Sequence, residues 1–242
     1  MRVGINISPF ARLRGGSPLG EPDPVLAAAA AQNAGAQIIV AGWLPNNGFI
    51  TDRDIKLLRE LVRIDLLIIS PLSTSYVDAI AKVHPQGVIL VDAGWDGVRE
   101  VRPLQPDVET GEIAEAAATF RAAGVEASIF VEPTASQVKI VAKCGISGVV
   151  FDCAAYAATK TDEEAQAAID LLTDATMAYS KFGIFMAAAH LLDYQNIRHI
   201  ALMHNIEEIY IGQAVAARAM FVGLDRAVRE IIDIIHYSRS ER

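Results

Sequence analysis

Thiols are scarce in this sequence. Two cysteines, Cys144 and Cys153, occur in 242 residues, too few and wrongly spaced for a disulfide framework or a Cys-x-x-Cys metal site. A reduced, cytoplasmic setting is the expectation. Cations are also in deficit: 21 Lys+Arg against 29 Asp+Glu leave a formal net charge of −8. That deficit argues against nucleic acid as a partner, because phosphate backbones demand clustered cations. It argues equally against an anionic membrane surface. Long apolar runs are missing as well. The longest, near residues 183–192, has about ten residues where a bilayer crossing needs about twenty. The opening segment MRVGINISPF is too short and too polar to be a secretory signal, so a soluble protein is expected.

Hydrophobic residues make up 52% of the chain, and they are distributed in short runs rich in Val and Ile. Eight such runs occur, at residues 3–8, 37–42, 65–70, 87–92, 127–132, 148–153, 184–188 and 208–212. Most are apolar on both faces, as buried parallel strands are. Helical stretches separate them. Asp23-Pro24 is a cap followed by proline at the first helical position. Thr51 and Asp54 form a variant capping box, and Thr161 caps a long helix over residues 161–182. Gly35, Gly124, Gly145 and Gly183 each end a helix just before the next strand. Eight such units predict a (β/α)8 TIM barrel with extra helices. No linker or low-complexity tract divides residues 1–242, so one domain is expected. An open doubly wound sheet is the alternative, but it would carry a glycine-rich first turn, and Ser8-Pro9-Phe10-Ala11-Arg12 stands there.

In such a barrel the chemistry sits at the C-terminal ends of the strands. Those ends offer Asn6 and Ser8 (strand 1), Asp92 (strand 4), Glu132 (strand 5), Asp152 beside Cys153 (strand 6), His190 (strand 7) and Gly212-Gln213 (strand 8). His190 and Asp152 are the expected proton-transfer pair, with the other six as substrate contacts. Three carboxylates and one imidazole would equally suit a divalent ion, although no metal and no cofactor are called for. Gly212-Gln213 opens a helix straight from strand 8, and its free N–H groups suit a phosphate. Trp43 and Trp95 either line a pocket or cover the barrel top. The expected partner is a small metabolite, with or without one phosphate.

Further short motifs run along nearly the whole chain: Asn6-Ile7, Leu13-Arg14, Pro22-Asp23-Pro24-Val25, Ile50-Thr51-Asp52-Arg53-Asp54, Lys160-Thr161-Asp162, His190 and Ile211-Gly212. In their order and spacing the chain resembles the pyridoxine 5′-phosphate synthase family, barrel enzymes of vitamin B6 synthesis. The resemblance implies condensation of 1-deoxyxylulose 5-phosphate with 3-amino-2-oxopropyl phosphate, and an octamer built from dimers. Transferred position by position, however, most of the family's reactive residues are replaced. Its catalytic histidine falls on Gly42, a substrate-binding arginine on Leu44, a basic position on Phe49 and its strand-3 glutamate on Ile69. Its Asp-His pair falls on Ser8-Pro9, its phosphate-holding arginine on Ser17 and its strand-6 acid on Val150. Asn6, His190 and Gly212 remain, while Leu191 and Gln213 stand in place of a glycine and a histidine.

Two expectations follow: an enzyme of altered chemistry using His190, or a non-catalytic relative on the same fold. A mouth plugged by Leu44, Phe49 or Trp43 would mark the second, and an open, polar pocket the first. Retention of the parent condensation would need new cations for two phosphates, and only Arg12, Arg14, Arg99 and Arg102 lie near enough in the sequence.

Overall fold

The computed structural model describes residues 1–45, 48–97 and 100–240. Arg99, one of the four candidate cations, lies outside the described residues, as do Asn46 and Asn47 in the loop after strand 2. The strands are β1 (Arg2–Asn6), β2 (Ile38–Gly42), β3 (Asp65–Pro71), β4 (Gly87–Val91), β5 (Glu126–Val131), β6 (Gly148–Asp152), β7 (Phe185–Ala189) and β8 (Glu208–Ile211). The helices are α1 (Ser8–Gly15), α2 (Pro24–Asn33), α3 (Asp52–Leu61), α4 (Thr74–Ala81), α5 (Thr110–Ala122) and α6 (Val138–Lys143), then α7 (Ala154–Ala157), α8 (Asp162–Ser180), α9 (Ile197–Ala201), α10 (Gln213–Val222) and α11 (Leu224–Ser240). Every strand pairs in parallel with its sequence neighbours, and β8 returns to β1 through Ile5 opposite Ile211, closing the barrel.

The expected barrel is therefore present, and so are its punctuation marks. Asp23 accepts a hydrogen bond from the Val25 N–H at the start of α2. Thr51 and Asp54 exchange both bonds of a capping box, and Thr161 and Glu164 do the same at α8. Gly35, Gly124, Gly145 and Gly183 all adopt positive φ at helix ends. Two helices depart from expectation. Ser8 does not extend the first strand but begins α1, since Pro9 removes a ladder donor and fits an early helical position. The short α7 follows β6 directly, started by the Asp152 carboxylate accepting from the Ala154 N–H at 2.8 Å.

Alternation along each strand sends one set of side chains into the barrel and the other against the helices. The inner set includes Val40, Ile89, Phe130, Val150 and Tyr210. Gly4 makes room for the widest of them: a Cβ there would lie 2.6 Å from the Tyr210 ring. At the lower end of the barrel the Tyr210 hydroxyl donates to Glu208 at 2.5 Å, and Arg2 bridges Glu208 and Asp65. Burial, with the nearby charges of Asp65 and Glu207, raises the Glu208 carboxyl above the ordinary glutamate value. A folded-state pKa above the unfolded one means that stability is lost as pH rises through it. Glu208→Gln keeps an acceptor for Tyr210 without the buried charge. Its melting temperature is expected to rise relative to the parent's as pH goes from 4 to 8, in a Tm–pH series on both proteins. A constant difference would exclude Glu208 as a source of pH dependence.

Candidate active site

The strand ends and their loops enclose a cavity of about 450 Å³ at the C-terminal mouth of the barrel. Of the eight site residues expected from sequence, Asn6, Ser8, His190, Gly212 and Gln213 line it. Asp152 stands directly behind His190, its Oδ1 accepting from the imidazole Nδ1–H at 2.8 Å. The two side chains are only 14% and 13% exposed. The same Oδ1 accepts the Ala154 N–H, so the carboxylate is held by a helix start as well as by the ring. The edge of Phe130 abuts the imidazole, ring centroids 5.9 Å apart. With Nδ1 donating to Asp152, the tautomer leaves the Nε2 lone pair for the cavity.

Asp92 and Glu132 are not brought to this cavity. Val91 faces the barrel interior, so the next residue, Asp92, faces away, and its carboxylate accepts the Gly94 N–H to form its own loop. Glu132 lies one residue past β5 and is exposed. Among the described residues no group of three or more His, Cys, Asp or Glu could hold a metal ion. Cys153 is buried, and burial, with the charge of Asp152, pushes its thiol far above the ordinary value. It is therefore no nucleophile.

Most of the remaining polar groups sit on one arc, contributed by the ends of β7, β8 and β1; Glu100, exposed in the loop after β4, lines the cavity away from it. The Asn6 Oδ1 accepts the Ser8 N–H at 2.9 Å, and the Ser8 hydroxyl accepts the Gly42 N–H at 2.9 Å. Gly212 lets α10 begin against β1: a Cβ there would lie 2.9 Å from the Asn6 carbonyl oxygen. The first-turn N–H groups of α10 have no partner within the helix and carry its positive dipole end. Of the four candidate cations, Arg12 lines the cavity and donates to the Gly97 carbonyl. Arg14 is bound to Asp54, and Arg102 is exposed and outside the lining.

Opposite this arc the wall is apolar. Its members include Ile69 and Val150, which stand where the resemblance puts a glutamate and an acid, and Phe130, which strand alternation sets on the same face as residue 128. The Trp95 ring closes the β2 side, lying where a side chain on Gly42 would go, 2.7 Å from an added Cβ. Trp43, Leu44 and Phe49 do not plug the mouth. The Trp43 indole N–H donates to Asp52, the Phe49 ring packs on Gly15, and Leu44 is buried beside Gly97. The pocket is thus open, yet more apolar than polar.

His190 and Leu191 both hold left-handed backbone, with φ of 79° and 55°. Leu191 is 46% exposed, so little packing offsets the roughly 1–2 kcal/mol that a branched side chain costs there. Leu191→Gly is expected to raise Tm by about 1–3 °C, since about 1 kcal/mol corresponds to 2–4 °C at this size and glycine's own unfolded-state entropy takes part of the gain. A fall in Tm by differential scanning calorimetry would show that the leucine side chain contributes more than its backbone costs.

Comparison with known proteins matches residues 3–237 to the family model described as "Pyridoxal phosphate biosynthesis protein PdxJ". The pyridoxine 5′-phosphate synthase of Geobacter sulfurreducens is 32% identical over 98% of this chain and 99% of its own. That of Geobacter metallireducens is 34% identical over the same shares. Among solved structures, thiamine phosphate pyrophosphorylase from Pyrococcus furiosus superposes with a TM-score of 0.63 at 16% identity, covering 98% of this chain and 95% of that one. At that identity the likeness is one of fold.

Proposed function

The chain belongs to the family of the pyridoxal phosphate biosynthesis protein PdxJ, and from that premise we propose that it is an altered member, one that moves a proton on a small, singly phosphorylated metabolite and does not form pyridoxine 5′-phosphate. The observation that carries this reading is the His190–Asp152 pair at the edge of the cavity, opposite an apolar wall. Asp152 holds the Nδ1 proton, so Nε2 takes a proton from a substrate carbon beside a carbonyl, or from a hydroxyl, and later returns it. The carboxylate stabilises the imidazolium between the two steps. The phosphate rests on the first turn of α10 with Arg12 beside it.

The condensation performed by the relatives named above joins two phosphorylated molecules. Two such groups call for two sets of donors, and Arg12 is the single Lys or Arg in the cavity lining among the described residues. The histidine and glutamate that the resemblance places at strands 2 and 3 are Gly42 and Ile69 here, and Trp95 fills the space in front of Gly42. Those substitutions remove a base and an acid that apolar side chains do not replace.

The test has two arms. Purified protein incubated with 1-deoxyxylulose 5-phosphate and 3-amino-2-oxopropyl phosphate is expected to give no pyridoxine 5′-phosphate by mass spectrometry. Product above a no-enzyme control would overturn the reading. In D2O, a panel of singly phosphorylated ketones and aldehydes should include one that gains deuterium next to its carbonyl. A folded sample that exchanges none of them would also count against it.

A further inference from the structure

We propose that the ligand of this cavity is a phosphate monoester whose body is apolar, an alkyl or aryl group rather than a polyhydroxylated chain. The inference rests on the reading that this cavity is the substrate site, and it names the substrate class. The lining is divided. Hydrogen-bonding groups lie along the β7–β8–β1 arc, at His190, Gly212, Gln213 and Asn6. The facing wall and floor come from β2 to β6 and are formed by Val40, Ile69, Ile89, Phe130 and Val150, with Trp95 over the top and the Glu100 carboxylate confined to the exposed rim. A ligand anchored by its phosphate on the arc therefore projects its body against carbon.

One group that could have met a hydroxyl there is already engaged. The Tyr210 hydroxyl is turned toward the lower end of the barrel and donates to Glu208, so the ring alone faces the cavity. On the arc side, the Ser8 hydroxyl accepts from the Gly42 N–H at the C-terminal end of β2 and keeps its own O–H to donate. A sugar hydroxyl pressed on this wall loses its water and gains no partner. Each such loss costs about ten- to a hundredfold in affinity. An apolar body of the same size gains from the transfer instead. Trp95 is 7% exposed and belongs to the same apolar cluster as Phe130 and Val150. A larger residue at 42 would displace the Trp95 ring, and Gly42 leaves it the space to close the wall. Gly42 and Trp95 thus act together as a selector for ligand bodies without hydroxyls.

The experiment is isothermal titration calorimetry of the full chain with three probes: inorganic phosphate, ribose 5-phosphate and benzyl phosphate. Benzyl phosphate is expected to bind at least tenfold tighter than inorganic phosphate, and ribose 5-phosphate no tighter than inorganic phosphate. Ribose 5-phosphate binding tighter than benzyl phosphate, or no binding by any probe, would overturn the proposal. Trp95→Ala should weaken benzyl phosphate at least tenfold and leave inorganic phosphate unchanged. Ile69→Asn, folded by circular dichroism, should narrow the gap between benzyl phosphate and ribose 5-phosphate. Equal losses for all probes in both variants would mean that the wall does not select. His190→Ala is expected to keep the same order of affinities. If that order holds while no panel compound exchanges its proton, the proton-transfer reading fails and the ligand class stands. If exchange occurs with the order reversed, the ligand class fails and proton transfer stands.

Discussion

Arg14→Ala is expected to destabilise the protein by about 3 kcal/mol, the low end of the cost of removing one partner of a buried ion pair, because the exposed Arg53 still faces the same carboxylate at 3.1 Å. At this size that corresponds to a fall in Tm of roughly 10 °C. The partner is Asp54, which is 0% exposed. Its two carboxylate oxygens accept from Arg14 at 2.9 and 2.5 Å, and one also accepts from the Thr51 N–H and hydroxyl. Arg14 additionally donates to the Phe49 carbonyl at 2.6 Å, tying α1 to the loop ahead of α3. Burial alone would raise the Asp54 carboxyl, but the Arg14 and Thr51 bonds outweigh it and bring the pKa from 3.8 down to about 2. A depressed folded-state pKa contributes stability that is present above the ordinary carboxylate value and is lost as pH falls through the depressed one. The gap between parent and Arg14→Ala should therefore be widest near neutrality and close as pH falls from about 4 towards 2. Arg14→Lys keeps the charge without the two-pronged geometry and should fall between them. Denaturant titrations at pH 7 and pH 3 read all three. A neutral-pH loss below about 1 kcal/mol, typical of an exposed pair, would refute the assignment of a buried anchor.

The second large effect is chemical. His190→Ala is expected to slow proton exchange on the best panel substrate by about 10²–10⁴-fold, the range for loss of a positioned acid/base group. Circular dichroism should change little, while Tm should fall, because the largely buried Asp152 carboxylate loses the imidazole as a partner. Asp152→Asn also loses rate, for a separate reason. An asparagine amide can donate to Nδ1, which moves the ring proton to Nε2 and removes the base from the cavity. Asp152 acts through His190, so its substitution should depress kcat with little change in KM. Exchange at the parent rate in His190→Ala would remove the histidine from the mechanism, and a KM effect alone in Asp152→Asn would make that residue a binding contact.

Much of the architecture was legible in the sequence because it rests on local physics. Eight short apolar runs, most of them apolar on both faces, separated by capped helices leave few topologies besides a closed parallel barrel. Asp23, Thr51 and Thr161 act on N–H groups two or three residues away, and a glycine at a helix end acts on its own φ. The exception is Ser8, where the apolar pattern of β1 ran on past the point at which Pro9 made a helix the better continuation. The strand ends likewise located the mouth, and five of eight expected site residues line it. Strand parity accounts for Asp92, which follows an inward-facing valine and so points away; Glu132 and Asp152 share the parity of the inward Phe130 and Val150 and still do not line the cavity, because one lies past the end of its strand and the other is held behind His190.

What only the tertiary structure decided are the contacts between residues distant in the chain. His190 and Asp152 are 38 positions apart, and no periodicity links them; the β6–β7 pairing of Asp152 with Ala189 places them within one hydrogen bond. Gly42 reads as a lost side chain until Trp95 is found in its place. The Tyr210 hydroxyl is held below the cavity by a bond to Glu208, two residues away on the same face of β8. The sequence by itself determined the barrel, because hydrogen bonding along a strand and capping of a helix depend on near neighbours. The character of the site depended on which side chains closure of the barrel brings face to face, and that is set by register and packing around the whole ring.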